Sequence, residues 1–174
     1  GSSFPVGSTE IEFTAEDDFG NTEICTFNIL VEDNEDPTIT CPENITVVND
    51  PSVCAAIVTY DAPLTDDNCG VASVNLLSGL ASGSLFGVGI TTVTYEVVDI
   101  SGNTAQCSFD VEVTDSEPPV IDCPADIVLN IPDGDCEGLI NFLDATATDN
   151  CGIASIDQIE GPISGSNFPV GNTI

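Results

Sequence analysis

The sequence predicts an all-β protein made of tandem immunoglobulin-like or fibronectin-type β-sandwich repeats with an 82-residue period. Cysteines recur at this constant step, since Cys123 follows Cys41 at the same separation at which Cys136 follows Cys54. Apolar and polar residues alternate through short segments, and clusters of Gly, Pro, Asn and Asp separate these segments. A period of two is typical of half-buried strands, and many short strands between turns favour a sandwich.

The strand signal is clear in several segments rich in β-branched and aromatic residues. None of the chain shows a convincing 3.6-residue helical period. About six or seven such strands per repeat suit one small sandwich. The predicted strands include residues 27–31, 45–48, 55–60, 72–77, 93–97 and 109–113.

The repeat divides the chain into three parts. A Phe-x-Val-Gly element begins at Phe4, Phe86 and Phe168 with the same step. We expect residues 1–35 to be the C-terminal part of one repeat, 36–117 a complete repeat, and 118–174 the N-terminal part of the next. Because the ends are out of phase with the repeats, we expect a longer functional unit. It would be a continuous array or a polymer of subunits that meet head to tail.

The charge of the chain excludes several classes of partner and reaction. There are 30 Asp and Glu residues and no Lys, Arg or His. Nothing can neutralise phosphates, so nucleic acids and anionic membranes are excluded as partners. No apolar run is long enough for a membrane helix, so no membrane insertion is expected. A His-dependent triad, a Schiff base and a phosphate clamp are also impossible, and we expect no catalytic residues and no enzyme activity.

The eight cysteines indicate disulfides and an oxidising compartment, because their number is even and they show no zinc-type Cys-x-x-Cys spacing. Four cysteines per repeat allow three pairings. The favoured one joins Cys41 to Cys107, which links the start of the repeat to its last strand. Cys54 would then pair with Cys69, and Cys136 with Cys151, whereas Cys25 and Cys123 would pair outside this stretch or with each other across subunits.

Acidic and amide side chains recur where repeats are expected to meet. The linkers 31–37 and 113–119 would lie beside the loops that carry the Asp-Asn-Cys-Gly and Asp-x-x-Gly-Asn elements. Ca²⁺ takes six to eight oxygen ligands from such groups, and no cationic side chain competes for them. The first predicted interdomain Ca²⁺ site consists of Asp33, Glu35, Asp67, Asn68, Asp99 and Asn103. The second consists of Asp115, Glu117, Asp149 and Asn150, with its other ligands after residue 174.

Ordinary turn chemistry is the alternative explanation of these residues. Asp and Asn favour turns because their side chains bond nearby backbone groups, and Asp-x-x-Gly-Asn can close a hairpin without any metal. Asn44 begins the one N-x-[S/T] sequon and is a candidate for glycosylation, although an unmodified residue at a strand edge is the simpler interpretation.

The combined motifs resemble the hyalin repeat (HYR) domain over the whole chain. They are Ile-x-Cys-Pro at 39–42 and 121–124, Asp-Asn-Cys-Gly, Phe-Pro-Val-Gly, Val-x-Tyr-x-Val-x-Asp-x-x-Gly-Asn and Cys-x-Phe-x-Val-x-Val. The resemblance implies an immunoglobulin-like fold, an extracellular location and a role in adhesion or surface architecture. In this family, repeats with two cysteines keep those equivalent to Cys41 and Cys107, which supports that pairing. The four-cysteine form looks like long repetitive surface proteins of Bacteroidetes-type bacteria.

The function that follows is a structural module of an extracellular filament or cell-surface stalk. Its partners would be neighbouring repeats or subunits arranged head to tail, and its linkers would be stiffened by Ca²⁺. The alternative is an adhesin that recognises a glycan or a protein through the loops of the sandwich. A binding module of that kind should expose an aromatic or apolar patch on its loops.

Overall fold

A computed structural model describes residues 1–132 and 134–171 and shows fourteen strands and no helix in that part of the chain. The predicted all-β class is therefore confirmed. In chain order the strands are β1 Gly7–Glu16, β2 Thr22–Val31, β3 Thr38–Thr40, β4 Ile45–Val48, β5 Ala55–Val58, β6 Leu64–Asp66, β7 Val71–Ser78, β8 Ser84–Gly87, β9 Gly89–Asp99, β10 Thr104–Thr114, β11 Val120–Asp122, β12 Glu137–Ile140, β13 Thr146–Thr148 and β14 Ser166–Pro169.

Internal contacts divide the chain into two compact units. Unit 1 consists of Gly1–Thr46, Ile57–Phe86 and Ile90–Glu112, and unit 2 consists of Val47–Ala56, Gly87–Gly89 and Val113–Ile174. This division differs from the sequence repeat, because Val47–Ala56 and Gly87–Gly89 of the complete repeat cluster with Val113–Ile174 and not with the rest of that repeat.

The complete repeat contains the eight strands from β3 to β10. Its main sheet has four strands in the order β4-β10-β9-β7, and β3–β6 and β5–β8 form two further ladders. Each of the predicted strands is present, and β4 has the bounds that alternation predicts. The three-residue strands β3 and β6 were missed, because so short a segment carries no readable alternation.

The apolar core of unit 1 comes from the inward positions of its strands. The side chains of Phe86, Val93, Val97 and Val111 are completely buried. Tyr60 packs edge-on against Phe86 and Phe109, with ring centroids 6.5 and 5.0 Å apart respectively. Burial, together with the hydroxyl of Tyr95, raises the pKa of Tyr60. Its hydroxyl therefore stays protonated and donates to the carbonyl of Leu80.

Gly79 ends β7 in a conformation that only glycine accepts easily. Its φ is +87°, and an added Cβ would lie 2.8 Å from both the Thr92 carbonyl oxygen and Val93 Cα. The close approach lets the chain turn against β9 without displacing the buried Val93.

The flanking strands reproduce parts of the complete repeat at the 82-residue step. In unit 1, β1 and β2 form a regular antiparallel hairpin that corresponds to β9 and β10. In unit 2, β11 pairs with β13 and β12 with β14, as β3 pairs with β6 and β5 with β8. Among the described residues, β4 and β7 have no third-repeat counterparts. In the complete repeat, β4 pairs with β10 and β7 pairs with β9. The third-repeat counterparts of β9 and β10 would begin at residue 171 or later.

We expect Phe86→Ala to lower the free energy of unfolding by about 3–5 kcal/mol, because it removes a fully buried ring and leaves a cavity. Guanidinium unfolding monitored by circular dichroism measures this loss. Phe19→Ala is the matched control, since Phe19 is 92% exposed and its loss should change stability by less than about 0.5 kcal/mol. Equal effects of the two substitutions would contradict the assigned core.

Candidate metal centre and repeat junction

The first disulfide joins Cys41 to Cys107 within unit 1, with Cα atoms 5.7 Å apart. It is the pairing that the sequence favours. Cys41 lies just before β4 and Cys107 lies in β10, so the bond fastens the start of the complete repeat to its last strand. In the chain-entropy model, a loop of 66 residues contributes about 4 kcal/mol of stability.

The second disulfide corrects the sequence prediction. Cys54 pairs with Cys151 in unit 2, and their Cα atoms are 4.8 Å apart. The predicted bonds Cys54–Cys69 and Cys136–Cys151 are therefore wrong. The prediction favoured the nearest cysteine along the chain, but contacts with the following repeat decide the pairing. Cys25, Cys69, Cys123 and Cys136 are free and exposed.

Hydrogen bonds surround this second disulfide and join the same two segments. The backbone amide of Ser52 donates to both carboxylate oxygens of Glu117, at 3.1 and 2.9 Å. The side-chain amide of Asn150 donates to the carbonyl of Val53 at 3.2 Å. The Oδ1 atom of buried Asn49 accepts from the amide and the hydroxyl of Ser116. The β4–β5 loop thus contacts both the linker and the segment after β13.

Three predicted metal ligands meet in unit 1. The carboxylates of Asp33, Asp67 and Asp99 each place an oxygen within 4.8 Å of the others. Asp33 comes from the linker, Asp67 from the turn after β6, and Asp99 from the end of β9. We call these three residues the aspartate cluster.

Asp99 is the buried member of the aspartate cluster, at 2% exposure. One carboxylate oxygen accepts from the backbone amides of Gly102 and Asn103, and the other accepts from the Asn103 side chain at 2.7 Å. Burial opposes ionisation of this carboxyl, but the hydrogen bonds from Asn103 and its neighbours outweigh it. The pKa of Asp99 is lowered as a result.

The same turn forms in the first repeat at Asp17. Its carboxylate accepts from the amides of Phe19 and Asn21 and from the Asn21 side chain. The side-chain bond from Asn21 is the largest of the causes that lower the pKa of Asp17. Because Asp17 and Asp99 accept the same kinds of hydrogen bonds from their own turns, ordinary turn chemistry accounts for the Asp-x-x-Gly-Asn element.

The hydrogen bonds of the turn account for only one of the two carboxylate oxygens of Asp67. Its Oδ1 atom accepts from the backbone amides of Cys69 and Gly70, at 2.9 and 2.7 Å. Its Oδ2 atom is buried and has no hydrogen-bond partner. A buried carboxylate oxygen without a partner carries a large desolvation cost, which a bound cation would remove.

The linker is fastened to the β9–β10 loop through Asp33. The hydroxyl of Ser101 donates to Asp33 Oδ2 at 3.2 Å, and the Asn103 side chain donates to the Asp33 carbonyl at 3.3 Å. Asn103 therefore bridges two cluster members through its amide nitrogen. Its predicted role as an oxygen ligand stays a prediction without support from this geometry.

Glu35 and Asn68 form a separate pair beside the aspartate cluster. The Asn68 side chain donates to Glu35 Oε2 at 2.6 Å. Of the six residues predicted for the first site, the structure thus brings three carboxylates together and places the other three in hydrogen bonds around them.

The second predicted site is less complete in the described residues. Asp115 and Asp149 place carboxylate oxygens close to each other and to Cys151 Sγ. That sulfur is in a disulfide and is not a thiolate ligand. Glu117 and Asn150 bind the β4–β5 loop instead. Only two carboxylates of this site face each other.

Two further side chains bear on modification and reactivity. Asn44 is exposed, as a glycosylation site requires, and its Oδ1 accepts from the Asp110 amide at 2.9 Å. Glycosylation there stays a prediction. Burial, followed by a hydrogen bond to Asp33 and the charges of the aspartate cluster, raises the pKa of Cys69.

Comparison with known proteins identifies the family. The model of the HYR domain matches residues 1–31, 32–113 and 114–174, so the chain belongs to the HYR domain family. The second and third matches begin one repeat period apart and four residues before the boundaries predicted from the sequence. Cys54 and Cys151 lie in different matches, and the second disulfide therefore joins two HYR repeats.

The curated relatives are longer proteins. Hyalin from Lytechinus variegatus is 38% identical over 182 residues, which cover 100% of this chain and 34% of that protein. Hyalin from Strongylocentrotus purpuratus is 33% identical over 99% of this chain and 15% of its own length. The sushi, von Willebrand factor type A, EGF and pentraxin domain-containing protein 1 of Rattus norvegicus is 38% identical over 53% of this chain and 3% of that protein.

These relatives correct one expectation. The hyalins that cover the whole chain are eukaryotic proteins, and an origin in Bacteroidetes-type bacteria is not supported. Among the described residues, no helix is long and apolar enough to cross a membrane.

We expect Asp99→Asn to destabilise the chain at pH 7, because it removes the charge that three N–H groups surround. The folded-state pKa of Asp99 lies below its ordinary value of 3.8. Its stabilisation is therefore fully present above that value and is lost as the pH falls through the lower folded-state pKa. The difference in urea midpoint between the parent and the variant should shrink below about pH 4.

Asp61→Asn is the control, because it removes an equal charge from an exposed position. A difference for Asp99→Asn that stays constant from pH 7 to pH 2.5, or that matches Asp61→Asn, would contradict the role assigned to the ionised carboxylate.

Proposed function

We propose that this chain is a structural module of an extracellular filament or cell-surface stalk, in which HYR repeats are joined by disulfides and stiffened by Ca²⁺. The observation that carries the proposal is the Cys54–Cys151 bond, which links two repeats covalently in addition to the backbone. A bond between repeats stabilises an array under tension, whereas a ligand-binding site has no need of it. Disulfides also favour an extracellular or cell-surface location, because they persist in oxidising compartments.

Calcium fits the aspartate cluster better than any other partner that the chain allows. Three carboxylates lie together, and the sequence contains no Lys, Arg or His to neutralise them. Two oxygens bound to one Ca²⁺ at about 2.4 Å lie at most about 4.8 Å apart, and the oxygens of the cluster meet that limit. Asp67 Oδ2 lacks a partner and is available as a ligand. Backbone carbonyls and water would complete the coordination.

The position of the cluster gives the cation a mechanical role. Asp33 belongs to the linker, and Asp67 and Asp99 belong to two loops of the complete repeat. A bound Ca²⁺ would fasten the linker to both loops and so add to the hydrogen bonds from Ser101 and Asn103. Loss of the cation would restore repulsion between three carboxylates and loosen the linker.

An adhesin remains the second candidate, and one surface bears on it. Unit 2 contains an apolar cavity of about 480 Å³, lined among others by Leu129, Ile140, Phe142 and Phe168. Phe142 and Phe168 pack edge-on at 6.2 Å, as their counterparts Tyr60 and Phe86 do at 6.5 Å. Because Phe86 belongs to the sandwich core, this cavity is better explained as a core face than as a ligand pocket on the loops. The structural role is therefore favoured.

We expect Ca²⁺ to raise the melting temperature of the chain and EDTA to reverse the rise. At a free Ca²⁺ concentration 100 times the Kd, the folded state should gain about 2.7 kcal/mol. Asp67→Asn should abolish most of the gain, because it removes a ligand of the cluster. Differential scanning calorimetry measures the shift, and isothermal titration should give one strong site per chain.

Asp66→Asn is the matched control, since Asp66 is the exposed neighbour of Asp67 and carries the same charge. This variant should respond to Ca²⁺ like the parent. An unchanged melting temperature in EDTA, an equal loss in both variants, or the same shift from NaCl at matched ionic strength would refute the calcium proposal.

A further inference from the structure

The disulfide between repeats joins a loop to a surface that receives it. We call the loop the donor side and the receiving surface the acceptor side, and these names do not refer to the direction of hydrogen bonds. The donor side is the β4–β5 loop, which offers the Ser52 amide, the Val53 carbonyl and the Cys54 sulfur. The acceptor side offers the Glu117 carboxylate, the Asn150 side-chain amide and Cys151, and all of these groups lie in unit 2. Each of these three groups on the acceptor side thus meets one group of matching chemistry on the loop. We call this arrangement the junction.

A second acceptor side exists in unit 1. Glu35, Asn68 and Cys69 occupy the positions one repeat period before Glu117, Asn150 and Cys151. Cys69 is free and exposed. The Asn68 amide donates to Glu35 at 2.6 Å, whereas in the junction the equivalent groups bind the loop. Glu35 and Asn68 therefore hydrogen-bond to each other through the same side-chain groups with which Glu117 and Asn150 bind the loop.

A second donor side exists in unit 2. Gly134, Asp135 and Cys136 correspond to Ser52, Val53 and Cys54. Ser52 is the one non-glycine residue with positive φ in the described chain, at 60°, and Gly134 has a φ of 104°. The Asp135 amide donates to the Pro132 carbonyl at 3.3 Å, as Val53 donates to Asp50 at 3.0 Å. This donor side therefore has the turn that the junction requires.

The base of the turn is also the same in both donor sides. The carbonyl of Cys136 accepts from Val170 at 2.9 Å, and that of Cys54 accepts from Val88 at 3.2 Å. Cys136 is free and exposed, so its sulfur is available for a partner.

We infer that Glu35, Asn68 and Cys69 form a docking site for the loop of another HYR repeat that is equivalent to Gly134–Cys136, and that a Cys69–Cys136 disulfide closes this contact when two copies of this chain meet. The Gly134 amide would bind Glu35, and the Asp135 carbonyl would accept from Asn68. The inference rests on the proposed structural role and names the partner, a neighbouring HYR repeat of the same kind. It does not depend on Ca²⁺, so the calcium experiment and the one below fail independently.

The bond forms by thiol–disulfide exchange with a small disulfide such as oxidised glutathione. The Cys136 thiolate attacks oxidised glutathione, which yields a mixed disulfide and one glutathione thiol. After docking, the Cys69 thiolate attacks the Cys136 sulfur and releases the second glutathione. Two cysteine thiols lose two protons and two electrons, and one glutathione disulfide is reduced to two thiols.

Docking places the Cys136 sulfur beside Cys69 at a high effective concentration, which favours this partner over other disulfides in solution.

The test uses the 174-residue chain at high concentration in a glutathione redox buffer, followed by non-reducing electrophoresis. We expect a ladder of covalent oligomers that collapses with dithiothreitol, and a Cys69–Cys136 linked peptide by mass spectrometry. In a Cys25→Ser/Cys123→Ser background, which removes the other two free cysteines, Cys69→Ser and Cys136→Ser should each abolish the ladder. Cys25→Ser is the matched control, because Cys25 is equally free and exposed but belongs to neither side, and its ladder should persist.

Mixing the Cys69→Ser and Cys136→Ser variants separates the two roles, since each keeps one side and together they should form a covalent dimer. A chain that stays monomeric, a ladder that Cys25→Ser abolishes, or a Cys69–Cys136 bond within one chain would overturn the inference.

Discussion

The absence of any cationic side chain is the constraint on which the rest of this structure depends. With 30 carboxylates and no Lys, Arg or His, no acid can form an ordinary ion pair. Acids instead accept hydrogen bonds from backbone and amide N–H groups, as exposed Asp17, buried Asp99 and half-buried Glu117 do. Where no such donor is present, as at Asp67 Oδ2, a metal cation is the remaining way to compensate the charge.

The same constraint explains why covalent bonds matter here. Like charges oppose the close approach of acidic repeats, and the opposition grows as the salt concentration falls. A disulfide is insensitive to both effects. Cys41–Cys107 closes one repeat, and Cys54–Cys151 joins that repeat to the next. The hydrogen bonds of Asn49 and Ser52 with the linker then orient a contact that is already fixed covalently.

Periodicity and alternation predict most of the fold but do not determine which cysteine pairs with Cys54. Strands such as β4 follow from local pattern, and the aspartate cluster follows from motifs that recur at loops. The partner of Cys54 does not follow, because Cys69 and Cys151 are the same position of the repeat in successive copies. The sequence also does not show where a side chain points. Glu35, Asn68 and Asn103 were predicted as ligands, but they donate or accept hydrogen bonds around the aspartate cluster.

A disulfide joins neighbouring HYR repeats, and mapping the cysteine pairs of the oxidised monomer tests this bond most directly. Proteolysis at aspartate and glutamate separates the cysteines, since Asp61 lies between Cys54 and Cys69, and Asp144 between Cys136 and Cys151. Mass spectrometry should then find Cys54 linked to Cys151, with Cys69 and Cys136 as free thiols. Peptides that link Cys54 to Cys69 and Cys136 to Cys151 would contradict the account.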